Sequence, residues 1–273
     1  MTYQGNLLKL KSQLTSPISY QLPIGEQLVD ANGLIGKTIN FHYHGEINCI
    51  ACGRKTKKSF QQGYCYPCFQ SLAECDSCLI KPELCHYHLG TCREPSWGEE
   101  HCFQTHYVYL SNTSGLKVGI TRQTNVPYRW IDQGATQALP IYKVKNRLIS
   151  GLIEVILKEH VADKTAWQRM LKGSADPIDM VAEREHLHQK CGKALQTIYE
   201  LHGDDAVTFL GDEASIDIEY PVETYPSKVK SLNFDKTPDI SGLCHGIKGQ
   251  YLILDTGVLN IRKFSGYKVT LEV

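Results

Sequence analysis

No apolar run in the chain approaches the ~20 residues that a membrane-spanning helix needs, and the opening Met1-Thr2-Tyr3-Gln4-Gly5-Asn6-Leu7-Leu8-Lys9-Leu10 lacks the apolar stretch of a secretory leader. Low-complexity segments are missing, and no internal repeat stands out. Net charge is also missing, since 29 basic residues balance 29 acidic ones. That balance excludes a chain-wide field for polyanions and leaves only local patches to consider. These absences predict a soluble, cytoplasmic protein without a membrane partner. The 273 residues are 42% hydrophobic, enough for two or three compact units.

Cysteine is distributed unevenly. Nine of the eleven cysteines fall between Cys49 and Cys102. The first four form Cys49-Ile50-Ala51-Cys52, a twelve-residue loop, and Cys65-Tyr66-Pro67-Cys68. Each Cys-x-x-Cys turns two sulfurs the same way, and the loop lets the second knuckle fold back on the first. Four thiolates so placed suit the tetrahedral coordination of a structural Zn²⁺. A redox dithiol rarely comes doubled at this spacing, and nothing points to the oxidising compartment that a disulfide scaffold requires.

Cys75-Asp76-Ser77-Cys78 forms a third knuckle, followed by Cys85, Cys92 and Cys102. These five are candidates for a second zinc site, with Cys75 and Cys78 as its firm pair and His88 or His106 in reserve. The alternative is that one or two are buried thiols. Cys191 and Cys244 stand alone and read as core.

Charge is uneven too. From Tyr107 to Lys172 ten basic residues face four acidic ones. A local basic patch is the footprint of a phosphate-bearing partner, and the plainer reading is a solvated basic surface. Within this segment Tyr107-Val108-Tyr109-Leu110-Ser111 alternates, Asn112-Thr113-Ser114-Gly115 supplies turn chemistry, and Leu116-Lys117-Val118-Gly119-Ile120-Thr121 alternates again. The pattern predicts a β-hairpin. Val108 and Leu110 share one face, and Tyr107, Tyr109 and Ser111 share the other. Leu116, Val118 and Ile120 oppose Lys117, Gly119 and Thr121. An odd register merges the apolar sets and sets Tyr109 across from Lys117.

A short helix is predicted next, with Asn125 as its N-cap, Pro127 in its first turn and Gly134 at its end. Arg129 and Gln133 share one face of it. A longer helix near Leu148 to Val161 carries the stripe Ile149, Leu152, Ile153, Ile156 and Leu157. Glu154 lies beside that stripe, free to point towards the polar face of the hairpin.

This order of residues resembles the GIY-YIG endonuclease superfamily over about residues 106 to 173. Its first triplet corresponds to Tyr107-Val108-Tyr109 and its second to Lys117-Val118-Gly119. The helix arginine falls on Arg129, the metal-binding glutamate on Glu154, and a basic residue after the second triplet on Arg122. The wider chain is similar to domain-of-unknown-function family 2797, through the runs Gly90 to Glu99 and Arg129 to Ala135. The resemblance implies hydrolysis of phosphodiester bonds in DNA or RNA with one Mg²⁺ or Mn²⁺. Glu154 would hold the metal, Arg129 would stabilise developing charge, and Tyr109 would orient or deprotonate water. Lys117, Arg122 and Arg129 would hold the nucleic acid, aided by the zinc knuckles. Lys117 and Gln133 depart from the tyrosine and histidine common at those positions. The alternative is therefore a catalytically inactive, zinc-stabilised nucleic-acid-binding protein. Taken singly, Arg129 can pair with Asp132, and Tyr109 and Glu154 can be ordinary strand and helix residues.

The ends read as β-structure. Residues 34 to 48 suggest strands with Gly45 in a turn, and further strands are expected at 206–210, 215–220, 250–254 and 267–271. Asp176-Pro177-Ile178-Asp179 starts a helix to about His202, with Leu187, Cys191, Leu195, Ile198 and His202 on one face. His42, His44 and His101 read as surface residues; Arg262 and Lys263 are candidates to touch nucleic acid, with a solvated surface as the plainer reading. The expected class is α+β, with five parts. These are an N-terminal β segment (1–48), a zinc module (49–105), a GIY-YIG-like α/β domain (106–173), a connecting helix (174–203) and a C-terminal β segment (204–273). The two β segments are expected to pair as a barrel or sandwich.

Overall fold

Alternating apolar residues at both ends of the chain form strands that meet one another. The computed structural model describes residues 1–273 and opens with β1 (Thr2–Asn6), β2 (Lys11–Gln13), β3 (Ser19–Ile24), β4 (Gln27–Asp30) and β5 (Thr38–Asn48). The cysteine-rich stretch holds β6 (Lys55–Thr56), α1 (Tyr66–Ser71) and α2 (Pro95–His101), with four short 3₁₀ turns between the two helices. The middle of the chain forms β7 (His106–Asn112), β8 (Leu116–Arg122), α3 (Tyr128–Asp132), β9 (Gln137–Val144), α4 (Arg147–Leu157), α5 (Trp167–Met170) and α6 (Met180–His202). The remainder is β10 (Val207–Phe209), β11 (Ile216–Asp217), β12 (Asp239–Lys248), β13 (Tyr251–Leu254), β14 (Gly257–Asn260) and β15 (Tyr267–Glu272). The class is α+β, and no helix is long and apolar enough to cross a membrane.

The largest sheet runs β1-β15-β5-β12-β13-β14, with β6 added to β5, and β2-β3-β4 form a small sheet beside it. The large sheet has two free ends, so the closed-barrel form of the expectation is wrong. Gly45 is not in a turn either. It sits inside β5 with φ +71°. The register there jumps from Tyr43↔Val269 to Ile47↔Tyr267, so the extra residues form a bulge. The ten-residue β12 carries glycines at 242 and 246, poor strand formers that conceal it in the sequence.

An internal structural repeat, only faintly marked in the side chains, links this sheet and the small one beside it. The run β3-β4-3₁₀ turn-β5 recurs as β13-β14-3₁₀ turn-β15. Gln27 and Gly257, Asn32 and Arg262, and Gly36 and Gly266 each stand 230 residues apart. The copies pair about a pseudo-two-fold centred on Phe41↔Leu271, which are themselves equivalent positions. A further strand pairs with the last strand of the opposite copy on each side, β1 with β15 and β12 with β5. The chain termini therefore lie in one sheet.

The second sheet runs β10-β9-β7-β8, with β11 also on β9. Residues 207–217 thus join the middle of the chain and not the terminal sheet. Val108, Leu110, Val118, Leu139 and Ile141 face α4 and α6, packing on Ile149, Ile153, Leu157, Leu187, Cys191, Leu195 and Ile198. Tyr109 points the opposite way, onto Trp130 of α3, in the core shared with the terminal sheets. The predicted helices form with adjusted ends. Asp179 caps α6 by accepting from Ala182 N at 3.0 Å, and Gly203 ends it. Asn146 caps α4, accepting from Ile149 N at 3.0 Å. Pro127, and not Asn125, holds the N-cap position of α3.

Candidate functional site

The two Cys-x-x-Cys knuckles meet because local hydrogen bonds fold the loop between them. Cys49 directly follows β5, and its N–H donates to Arg54 O at 2.9 Å. The Ile50 N–H donates to Gly63 O at 2.9 Å, returning the chain to the first knuckle. Cys65 and Cys68 open α1, where Phe69 N donates to Cys65 O at 2.9 Å. All eleven cysteines are free thiols. The sulfurs of Cys49, Cys52, Cys65 and Cys68 lie within 4.8 Å of one another. A tetrahedron built on Zn–S bonds of ~2.3 Å has an edge of about 3.8 Å. The Cys52 and Cys65 sulfurs are 3.8 Å apart. Burial raises the pKa of the Cys49 thiol, but amide N–H groups of Cys52, Cys65 and Ala51 outweigh it and bring it down to about 6. The four cysteines are thus compatible with a zinc site.

The other cysteines separate in a way the spacing conceals. Cys78, Cys85, Cys92 and Cys102 line one small cavity. Cys75, expected to pair with Cys78, does not reach it and is buried elsewhere. His106 is fully buried in β7, with Nδ1 bonded to Gln104 O at 2.7 Å. Neither it nor His88 lines that cavity.

A larger cavity of about 520 Å³ opens between the cysteine-rich stretch, the second sheet and the terminal sheet. Tyr109 of β7, Lys117 of β8, Arg129 and Gln133 of α3, and Glu154 of α4 all line it. Arg122, at the end of β8, lines it as well. The hairpin register differs from the expected one. Tyr109 pairs with Gly119, and Lys117 pairs with Ser111. Lys117 and Tyr109 therefore share a face as diagonal neighbours. Gly119 is required by that pairing, because a Cβ there would lie 2.7 Å from the Tyr109 ring and hydroxyl. The Tyr109 O–H is donated to Gln133 Oε1 at 2.9 Å.

The electrostatics of this cavity are unbalanced. Five cationic side chains (Lys117, Arg122, Arg129, Arg147, Arg262) line it against three acidic ones (Glu74, Glu154, Asp163). None of the ion pairs in the structure uses Lys117, Arg122 or Arg129. Asp132, a candidate partner for Arg129, is held instead by Lys9 at 3.1 Å and by Gln250 Nε2 at 2.8 Å. Lys117 is 3% exposed. Burial, reinforced by Arg129, lowers its pKa to about 8, although Glu154 and Asp163 oppose the shift. Burial also raises the pKa of Glu154, with Asp163 adding to the effect and Lys158 and Lys117 opposing it. The Tyr109 phenol is raised by burial, against the nearby Arg129.

Four lining residues stand outside the site that the sequence reading assembled around Tyr109. Arg262 belongs to the second copy of the duplicated β unit, where the first copy has Asn32. Asn32 uses its side chain internally, on Tyr20 N and Ile18 O, whereas Arg262 faces the cavity. Arg147 begins α4 and donates to Leu79 O at 2.6 Å. Trp97 and His101 of α2 stack at 4.2 Å and 3° on the wall. No spacing rule links these residues to Tyr109.

Compared with known proteins, the chain matches the family model described as "Protein of unknown function (DUF2797)" over residues 36–269. No curated protein and no solved structure matches it.

Proposed function

The chain belongs to the DUF2797 family, and from its cavity we propose that it is a divalent-metal-dependent nuclease acting on DNA or RNA. The observation that carries this reading is the meeting of Tyr109, Lys117, Arg129 and Glu154, from four separate elements, on one cavity. Cations without carboxylate partners suit a phosphate, which restores the solvation that burial removed. In this reading residues 106–173 form a GIY-YIG-like unit, and the cysteine-rich module carries structural zinc and helps to hold the substrate.

Glu154 would hold Mg²⁺ or Mn²⁺, with Asp163 on the same cavity, and this donor set fits an ion that keeps waters and phosphate oxygens. When bound, the ion supplies Lewis-acid activation and charge neutralisation at the phosphate. Lys117, Arg122 and Arg129 bind and orient the phosphodiester. Arg129 offers a fork of N–H donors to the charge that grows at phosphorus. Tyr109, its proton committed to Gln133, turns its oxygen lone pairs to the attacking water.

A Mg²⁺- or Mn²⁺-dependent nicking assay on mixed DNA and RNA tests the reading. Glu154→Gln should lower the rate by ~100-fold or more, about 2.7 kcal/mol of transition-state stabilisation. Equal cleavage by wild type and variant overturns it. The second reading is binding without cleavage, and the Tyr109–Gln133 bond favours it, because Gln133 cannot take the phenol proton and burial keeps Tyr109 protonated, so the phenol is no general base. Salt-dependent binding with no metal-dependent cleavage would select that reading.

A further inference from the structure

We propose that Cys78, Cys85, Cys92 and Cys102 form a second structural zinc site, with Cys75 excluded. Three observations support this ligand set. The four side chains converge on one cavity from four separate pieces of chain. Cys78 lies in the 3₁₀ turn Ser77–Leu79, Cys85 follows the turn Pro82–Leu84, Cys92 precedes α2, and Cys102 follows it. The cavity is about 20 Å³. That is room for roughly one water-sized sphere, so it suits a single ion and no larger cofactor.

The second observation concerns what else holds this stretch together. No residue from Cys49 to Thr105 belongs to any of the three hydrophobic clusters of the molecule. Ile80, Leu84 and Leu89 are instead 71%, 55% and 67% exposed. A stretch with two short helices, several 3₁₀ turns and no apolar core needs covalent or metal cross-links to hold one conformation. The first set of cysteines ties only residues 49 to 68, which leaves Ala73 to Cys102 held by polar and surface contacts, such as Arg93 on Phe69 O and Leu72 O at 3.1 Å, with no cross-link of its own.

The third observation removes the competing donor set. Asp76, Cys78 and His86 bring their ligand atoms within 4.8 Å of one another, a closeness the four thiols, which share the cavity lining, do not reach without an ion. However, Asp76 Oδ2 accepts from Arg93 Nε at 2.9 Å. A guanidinium in contact with that carboxylate repels a dication and already occupies the oxygen. Four thiolates are the favoured donors of closed structural zinc sites.

The position of this site connects it to the larger cavity. Leu79 and Ile80 directly follow Cys78, and Trp97 and His101 precede Cys102, and all four line the cationic cavity. Arg147 of α4 grips the same wall, donating from its side chain to Leu79 O and from its backbone to Cys102 O at 2.8 Å. Pro82 rests on Gly151, where a Cβ would come within 2.6 Å. A metal bound to these four thiols would hold one wall of the cavity against α4.

The test is metal content of the full chain, which does not depend on any catalytic activity. Elemental analysis of the purified wild-type protein should find two zinc ions per chain. Cys78→Ser, Cys85→Ser, Cys92→Ser and Cys102→Ser should each retain one, while Cys75→Ser, Asp76→Asn and His86→Ala retain two. A single zinc in the wild type, or loss of a zinc from Cys75→Ser or His86→Ala, overturns the assignment. Where a serine variant fails to fold, cadmium substitution of the wild-type chain decides. Two ¹¹³Cd resonances, both in the four-sulfur range, support the site, and a single resonance or one with nitrogen ligation overturns it.

Discussion

Lys117→Met probes the cavity through stability. Methionine keeps much of the length of the side chain and removes its charge, so packing against β7 is largely retained. Lys117 is 3% exposed, and its pKa falls from 10.5 to about 8. At ~1.36 kcal/mol per pH unit, that fall is a folding cost of about 3 kcal/mol while the lysine stays charged. Below pH 8 both folded and unfolded chains hold the proton, and the cost is constant. Between pH 8 and 10.5 the unfolded chain keeps a proton that the folded chain has released, so wild-type stability rises with pH. The methionine variant has no such step. It should therefore be more stable than wild type by about 3 kcal/mol at pH 7, or roughly 6–12 °C in Tm. The gap should close as pH passes 10.5. Circular-dichroism melts of both proteins at pH 7, 8.5 and 10.5 measure it. Equal or lower stability of the variant at pH 7, or a gap that does not change with pH, refutes the reasoning. The same variant should bind nucleic acid less tightly, with the slope of log K against log salt smaller by roughly 0.7–0.9. Such a result would mean that stability is given up for a cation aimed at phosphate.

Three further outcomes follow from contacts around the same sites. Gly119→Ala should cost about 1–3 kcal/mol, because its Cβ meets the Tyr109 ring at 2.7 Å; near-ultraviolet circular dichroism should report the displaced tyrosine and denaturant melts the loss. Asn146→Ala removes the cap that accepts from Ile149 N and should cost about 1 kcal/mol, with Asn146→Asp restoring most of it in urea titrations. Cys49→Ser should remove the zinc of the first knuckles and expose residues 49 to 68 to limited proteolysis, leaving the β7–β9 sheet protected in hydrogen exchange.

Short-range patterns were legible in the sequence because they depend on spacing along the chain. The doubled Cys-x-x-Cys, the alternation of Tyr107 to Thr121, and the apolar stripe of α4 each occupy one or two turns of local geometry. They bring Cys49, Cys52, Cys65 and Cys68 together and place Tyr109 and Glu154 on elements that face one cavity. The register was harder. Alternation tells which face Lys117 occupies, but the loop decides whether it meets Tyr109 or Ser111, and it meets Ser111. The duplication also escaped, because strands conserve a pattern of burial and glycine positions and need not keep the same side chains. Leu22 and Leu252 match, whereas Asn32 and Arg262 do not.

By itself, then, the amino-acid sequence determined the α+β character, the family, the first cluster of thiols and the order of chemistry-bearing residues in the middle of the chain. Tertiary structure alone decided that Arg262 from the terminal sheet and Trp97 and His101 from α2 border the same cavity as Lys117. It also decided that Cys78, and not Cys75, keeps company with Cys102. The reason is physical. Spacing dictates contacts within a few residues, whereas contacts across a hundred residues or more depend on how sheets and helices bury their apolar faces, and only packing reports that.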